Sequence, residues 1–341
     1  MMKLWRYAIL LPAFILTVAV SCKDKDEDED TNEYLSGSLS YDMPMYVKYG
    51  DVVHIVPKGV YRGSDETDDM LSYSWYNPIT NRTDTIRLEN DSELKSKEFD
   101  FVIDKDTLAT FTMTVRIWAD GYYAKSASRS FTVVDPELET GSLRGFGDLS
   151  STPFIIDPRD NAVYYYFSAG GLDWMSRNLF AETAGKPFED AYAMNSIFGR
   201  YYTWEEAQTA CPAGWRLPTD AEFVEMAASA GGSASEAYGT ISGAAGALMG
   251  DIYFNKSKLW EFWPTVTITN STGFTSIPAG YAIVEDGSYS FKGFGSYAMY
   301  WTADDAGSGM AFQRYIYVDK PDIYCSAVDK KGIAASVRCV R

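Results

Sequence analysis

Hydrophobic and polar positions follow two different rhythms along this chain of 341 residues. From about Tyr34 to Pro136 the period is two. Between Thr110 and Ala119, the residues Phe111, Met113, Val115 and Ile117 alternate with Thr112, Thr114, Arg116 and Trp118. That alternation predicts a strand buried on one side. Val52 to Val56, Leu71 to Tyr76, Thr85 to Leu88, Phe99 to Ile103 and Ala127 to Val134 are further strand-length runs. Clusters of Asn, Asp, Gly, Ser and Pro separate them and supply turns. Residues 34–136 are therefore expected to form an all-β unit. The segment contains no cysteine, so its core must hold without a disulfide.

Between Gly199 and Phe223 the period lengthens to that of a helix. Thr203 with Glu206, and Thr219 with Glu222, each fit a capping box, in which side chain and backbone satisfy each other's orphan groups. Trp204, Ala207 and Cys211 fall on one helical face, and Pro212 with Gly214 stops that helix. Phe223, Met226, Ala227 and Ala230 continue the stripe on a second helix. Around this pair the chain returns to β patterns. Phe154 to Tyr164 reads as a hairpin turning at Asp160-Asn161, and short strands rich in Gly, Tyr, Phe and Trp run from Trp260 onward. Ser233 to Gly250 is made of small residues and predicts a loop with one short helix. Residues 137–152 read as a linker, which sets a second domain at 153–341.

Composition removes several function classes. A net charge of −17 argues against nucleic acid and against docking on anionic lipid, because both need clustered Lys and Arg. The single histidine, His54, leaves no material for a histidine base paired with a second group or for a His-rich metal site. No cofactor and no metal are expected.

The first 33 residues carry a targeting pattern. Lys3 and Arg6 precede an apolar run, Ala8 to Val20, too short to span a bilayer comfortably. Ala19-Val20-Ser21-Cys22 closes it. This layout resembles a bacterial lipoprotein signal, with residues 1–21 removed and Cys22 lipidated; an ordinary secretory signal is the alternative. Residues 22–33 form an acidic tether, since the charge run Lys23 to Asp30 cannot collapse. An acidic run after the lipid cysteine resembles the surface-export signal of Bacteroidetes lipoproteins. It implies a protein anchored in the outer membrane and facing the exterior; a periplasm-facing spacer is the other reading.

The all-β unit resembles an immunoglobulin-like or polycystic-kidney-type sandwich. Within it, Asp84-Thr85-Ile86 and Asp106-Thr107-Leu108 match the short O-glycosylation motif of Bacteroidetes. The second domain carries a series of ordered motifs. They are Trp174 to Leu179, Gly199 to Trp204, Cys211 to Thr219 with Glu222-Phe223, Gly273-Phe274 with Ile277 to Gly280, Tyr297-Ala298 with Tyr300 to Thr302, and Ser336 to Val340. Together they resemble the Fibrobacter succinogenes major paralogous domain, a family with an α+β, C-type-lectin-like fold.

That resemblance implies a disulfide between Cys211 and Cys339 and leaves Cys325 unpaired. It also implies a ligand surface in the long irregular region. The calcium motifs of C-type lectins are missing; Trp301-Thr302-Ala303-Asp304-Asp305 is the nearest counterpart. Formylglycine-generating oxidases share a related fold, but they need a redox pair of cysteines. The segments between motifs supply the candidate ligand surface: Tyr281, Tyr289, Phe291, Phe294, Asp304 and Asp305. The expected function is non-catalytic binding of a glycan or protein ligand, with the membrane reached only through the lipid. A structural or tip subunit of a surface assembly is the alternative, and an oxidase of the formylglycine-generating type the third.

Overall fold

The computed structural model describes residues 31–64, 71–79, 81–87, 98–103, 107–234, 236–260 and 266–341. Cys22, most of the acidic tether and Asp106 lie outside the described residues. The chain is rich in β structure and builds several sheets.

In the first unit a strand forms at each of the six expected runs, and Tyr46–Lys48 adds one that the pattern did not predict. These strands are β1 (Tyr46–Lys48), β2 (Val52–Ile55), β3 (Ser72–Asn77), β4 (Arg82–Arg87), β5 (Phe99–Val102), β6 (Thr110–Trp118) and β7 (Lys125–Val134). A five-stranded sheet has the order β1-β7-β6-β3-β4, and β2 pairs separately with β5. Met113, Val115 and Ile117 of β6 meet Val53, Ile55, Phe99 and Phe101 of the β2–β5 pair in one core. His54 points the other way, to solvent, where Asp100 and Glu98 accept from its ring nitrogens. Thr85 and Thr107 are both exposed.

The second unit opens with β8 (Phe154–Ile156), β9 (Val163–Ala169) and β10 (Leu172–Met175), an antiparallel run. After β11 (Arg200–Thr203) come α1 (Trp204–Ala210) and α2 (Asp220–Ala228). Both helices start at the predicted capping boxes: the Thr203 and Thr219 side chains accept from the Glu206 and Glu222 backbones, and each Glu answers. The closing strands are β12 (Tyr281–Glu285), β13 (Ser288–Lys292), β14 (Tyr297–Gly307), β15 (Met310–Tyr317), β16 (Ile323–Asp329) and β17 (Ile333–Ala335). One sheet contains β11-β17-β12-β13 in that order, and another contains β16-β15-β14.

The end of the chain is threaded through the centre of this unit. Asp173 and Arg341 exchange backbone bonds at 3.0 and 3.1 Å, Met175 donates to Cys339, and Leu179 donates to Val337. Residues 334–340 are all buried.

Residues 137–152, expected as a linker, are partly wound into a seam between the two units. Leu143 is buried with Val134, Phe198, Tyr201 and Ile252, and Leu143–Arg144 pairs with Tyr253–Phe254. The contact continues at Tyr46, whose ring lies 5.9 Å from Phe188, and at Asn255, which donates to the Val133 carbonyl at 3.1 Å.

Candidate ligand-binding groove

Alternation along β14, β15 and β16 decides which side chains share a face. Register pairs Tyr297 with Tyr317, Met299 with Tyr315 and Trp301 with Gln313. On the other side of β15, Tyr315 meets Tyr324 and Gln313 meets Ser326. One face of the sheet is therefore lined by Tyr297, Tyr315, Tyr317 and Tyr324 around Gln313 and Ser326. Ile316, Ile323 and Ala298 occupy the opposite face and pack with Phe223 and Met226 of α2.

Tyr281 and Ile333 arrive from the neighbouring sheet and close a groove of about 440 Å³ over this face. The rings form a connected set. Tyr297 lies 5.5 Å from Tyr281 and 5.1 Å from Tyr317, both edge to face, and Tyr315 stacks on Tyr297 and Tyr324 at 5.3 and 5.4 Å. Burial pushes the Tyr297 hydroxyl well above its ordinary range, with the neighbouring Tyr317 and Tyr315 adding to the rise. Burial also raises Tyr315. Both therefore remain neutral hydroxyls, able to donate and accept.

Gln313 forms the floor and is fully buried. Its amide nitrogen donates to the Ser326 hydroxyl at 2.6 Å, while its carbonyl oxygen has no partner among the described residues. Turning the amide over would exchange which end is paired. In either orientation a buried polar group faces an unmet hydrogen bond, which costs about 1–3 kcal/mol.

The sequence-predicted surface divides on the pleat of the β12–β13 hairpin. Asp286 and Gly287 both take positive φ, at 47 and 77°, the geometry of a tight hairpin turn. Register then puts Tyr289 with Val284 and Phe291 with Ala282, on the face away from Tyr281. Tyr281 joins the groove. Phe291 packs 5.0 Å from Tyr201 and 5.3 Å from Phe188, and Phe294 lies 4.9 Å from both Phe188 and Phe198. Tyr289 is half-buried beside Phe291, and burial raises its hydroxyl to about 12.

Asp304 and Asp305 stand apart from the groove and from each other's partners. Asp304 accepts from the Asp220 backbone at the start of α2 and from the Tyr238 hydroxyl. Asp305 pairs with Lys330 at 2.7 Å, which holds its carboxyl below the usual range. Gln313, Tyr315, Tyr317, Tyr324 and Ser326 did not stand out in the sequence. Their signal is the alternation within Met310–Tyr317 and Ile323–Asp329, whose meaning depends on the register.

A family model for the Fibrobacter succinogenes major domain matches residues 168–341, just over half of the chain. The chain belongs to this family. The Fibrobacter succinogenes major domain thus takes in both helices, both larger sheets and the whole groove. No curated protein matches the chain.

Within the Fibrobacter succinogenes major domain, Cys211 and Cys339 form the expected disulfide, with Cα atoms 5.8 Å apart. It joins the end of α1 to the final segment. Cys325 is left free and half-buried, on the face of β16 away from the groove. Burial pushes its thiol up to about 12, with the nearby Asp220 carboxylate acting in the same direction. Such a thiol is a poor nucleophile.

Proposed function

We propose that this protein is a non-catalytic binding protein whose second domain takes a glycan in the tyrosine-lined groove. The observation that carries the proposal is the connected set of aromatic rings lining the groove, Tyr281, Tyr297 and Tyr317. Sugars present flat C–H faces to aromatic rings and hydroxyls to the tyrosine and serine hydroxyls of the groove, so both are met by one ligand class.

The fold proposed for this domain is C-type-lectin-like. Paired chain ends, two capped helices and a disulfide from the first helix to the last segment all support it. Fold alone does not name a ligand, and the groove supplies that step. The oxidase reading draws no support from the cysteines, since two are bonded to each other and the third holds its proton. For the chain as a whole we propose a lipoprotein anchored through Cys22 in the outer membrane, with the first unit as a spacer. This rests on the signal layout and the acidic run that follows it.

The test is a glycan array probed with the full chain, followed by titration of any hit. A hit should survive chelator, and Tyr317→Ala should weaken it about tenfold, equivalent to about 1.4 kcal/mol, with the melting temperature preserved. No glycan bound, or a hit indifferent to both Tyr317→Ala and Gln313→Leu, would remove the glycan reading. Capture of a protein ligand through the same tyrosines would replace it with the protein alternative.

A further inference from the structure

A second site lies at the seam. Arg177, two residues beyond β10, forms part of a crevice of about 570 Å³ between the 136–149 segment and the second unit. The side chain is only 9% exposed. Among the described residues its guanidinium donates to one acceptor, the Ser196 carbonyl oxygen, and pairs with no carboxylate. Phe180 and Phe146 offer their ring faces at 5.3 and 5.9 Å.

The other buried guanidinium groups of the domain are treated differently. Arg314 meets the carboxylate of Asp220. Arg338 gives its hydrogens to oxygens of Met175, Asn178, Phe274 and Thr275. Arg177 has neither arrangement. Its burial drives the group down to about 10; Arg338 acts in the same direction, while Tyr164, Tyr165 and the Glu137 carboxylate at the crevice act against it. A buried charge with no carboxylate in contact is costly, and the crevice that Arg177 lines is where a counter-charge could reach it.

We propose that this crevice binds a small organic monocarboxylate, held by the guanidinium of Arg177. A planar fork of N–H donors matches the two oxygens of a carboxylate. Leu138, Leu149, Val163 and Phe180 give the crevice apolar walls suited to an organic body. Glu137 and Asp148 on the same crevice repel a second negative charge, which disfavours sulfate, phosphate and dicarboxylates. The Glu139 carboxylate is already engaged by the Gly145 and Phe146 backbones. This site is separate from the tyrosine groove, and neither depends on the other.

The experiment titrates the full chain with benzoate and with glucuronate, read by saturation-transfer NMR and calorimetry, with sulfate as control. At least one carboxylate should bind at about 10 mM or tighter. Arg177→Gln, which keeps a donor for Ser196, should weaken binding about tenfold or more. Glu137→Gln, an exposed position, should tighten it about twofold or more by removing a rim charge. Three results would each overturn the proposal. They are failure of both carboxylates to bind the parent, unchanged affinity in Arg177→Gln, and sulfate binding as tightly as either carboxylate. Should Arg177→Gln fail to fold, an unchanged affinity in Glu137→Gln would overturn it instead.

Discussion

Arg314 grips Asp220 through both Nε and Nη2, at 2.6 and 2.8 Å, with both side chains sealed from water. The pair ties the middle of β15 to the first turn of α2, and the third nitrogen of Arg314 donates to the Gly239 carbonyl. Asp220→Asn would leave a buried guanidinium without its counter-charge. We expect a loss of about 3–5 kcal/mol in a urea titration. Replacing both partners with apolar residues, Asp220→Leu with Arg314→Met, should recover most of it. A single variant within about 1 kcal/mol of the parent would show that the pair is not a structural tie.

The Cys211–Cys339 bridge spans 128 positions in sequence. Closing a loop of that size restricts the unfolded chain by about 4–5 kcal/mol in the chain-entropy account. Cys211→Ser should lower the denaturation midpoint accordingly, and the parent under reductant should move to the same place. If reductant leaves the parent unchanged while the protein is shown to be reduced, the bridge contributes little.

Cys325 provides a readout of local protection. With its thiol raised to about 12 by burial, almost none is ionised at pH 8. Iodoacetamide should leave the folded protein unlabelled over a period in which the denatured chain is fully alkylated, as intact mass would report. Rapid labelling of the folded protein would mean that β16 opens easily or that the thiol is activated.

Glu222 supplies a pH dependence. Arg216 donates to both of its oxygens, at 2.8 and 2.5 Å, and holds the carboxyl below its ordinary value of 4.5. A group depressed on folding adds stability above its unfolded value, and that stability is lost as pH falls through the folded value. Arg216 is half exposed, so the contribution is about 0.5 kcal/mol. Melting curves should therefore fall more steeply below pH 4.5 for the parent than for Glu222→Gln. Parallel curves would remove this pair from the acid response.

How much was legible depended on whether the partner lay nearby in sequence. Thr203 and Glu206 are three apart, as are Thr219 and Glu222, so local chemistry alone predicted where α1 and α2 begin. The strand of Thr110–Trp118 likewise announced its buried face through Met113, Val115 and Ile117. Tyr289 and Phe291 gave no such notice. They look like loop aromatics until Phe188 and Tyr201, from roughly a hundred residues away, pack on Phe291, with Tyr289 beside it. Gln313 is the reverse case. Nothing in its own neighbourhood marks it, and only the register of β15 against β14 and β16 puts it on one face with four tyrosines. Leu143 shows the same limit at the seam: one leucine among glycines and serines reads as spacer until Phe198 and Ile252 bury it.

The threading of residues 334–340 through the core has a consequence for the order of events during synthesis. Val337, Cys339 and Arg341 bond back to 173–179, and β17 joins β11 to β12. The second unit cannot close its centre until its last ten residues have been made. The first unit has no such debt: its own core cluster ends at Val133 and can close without any later residue. A domain whose keystone lies at its end stays open until that end is in place, and then folds in one late step dominated by distant contacts.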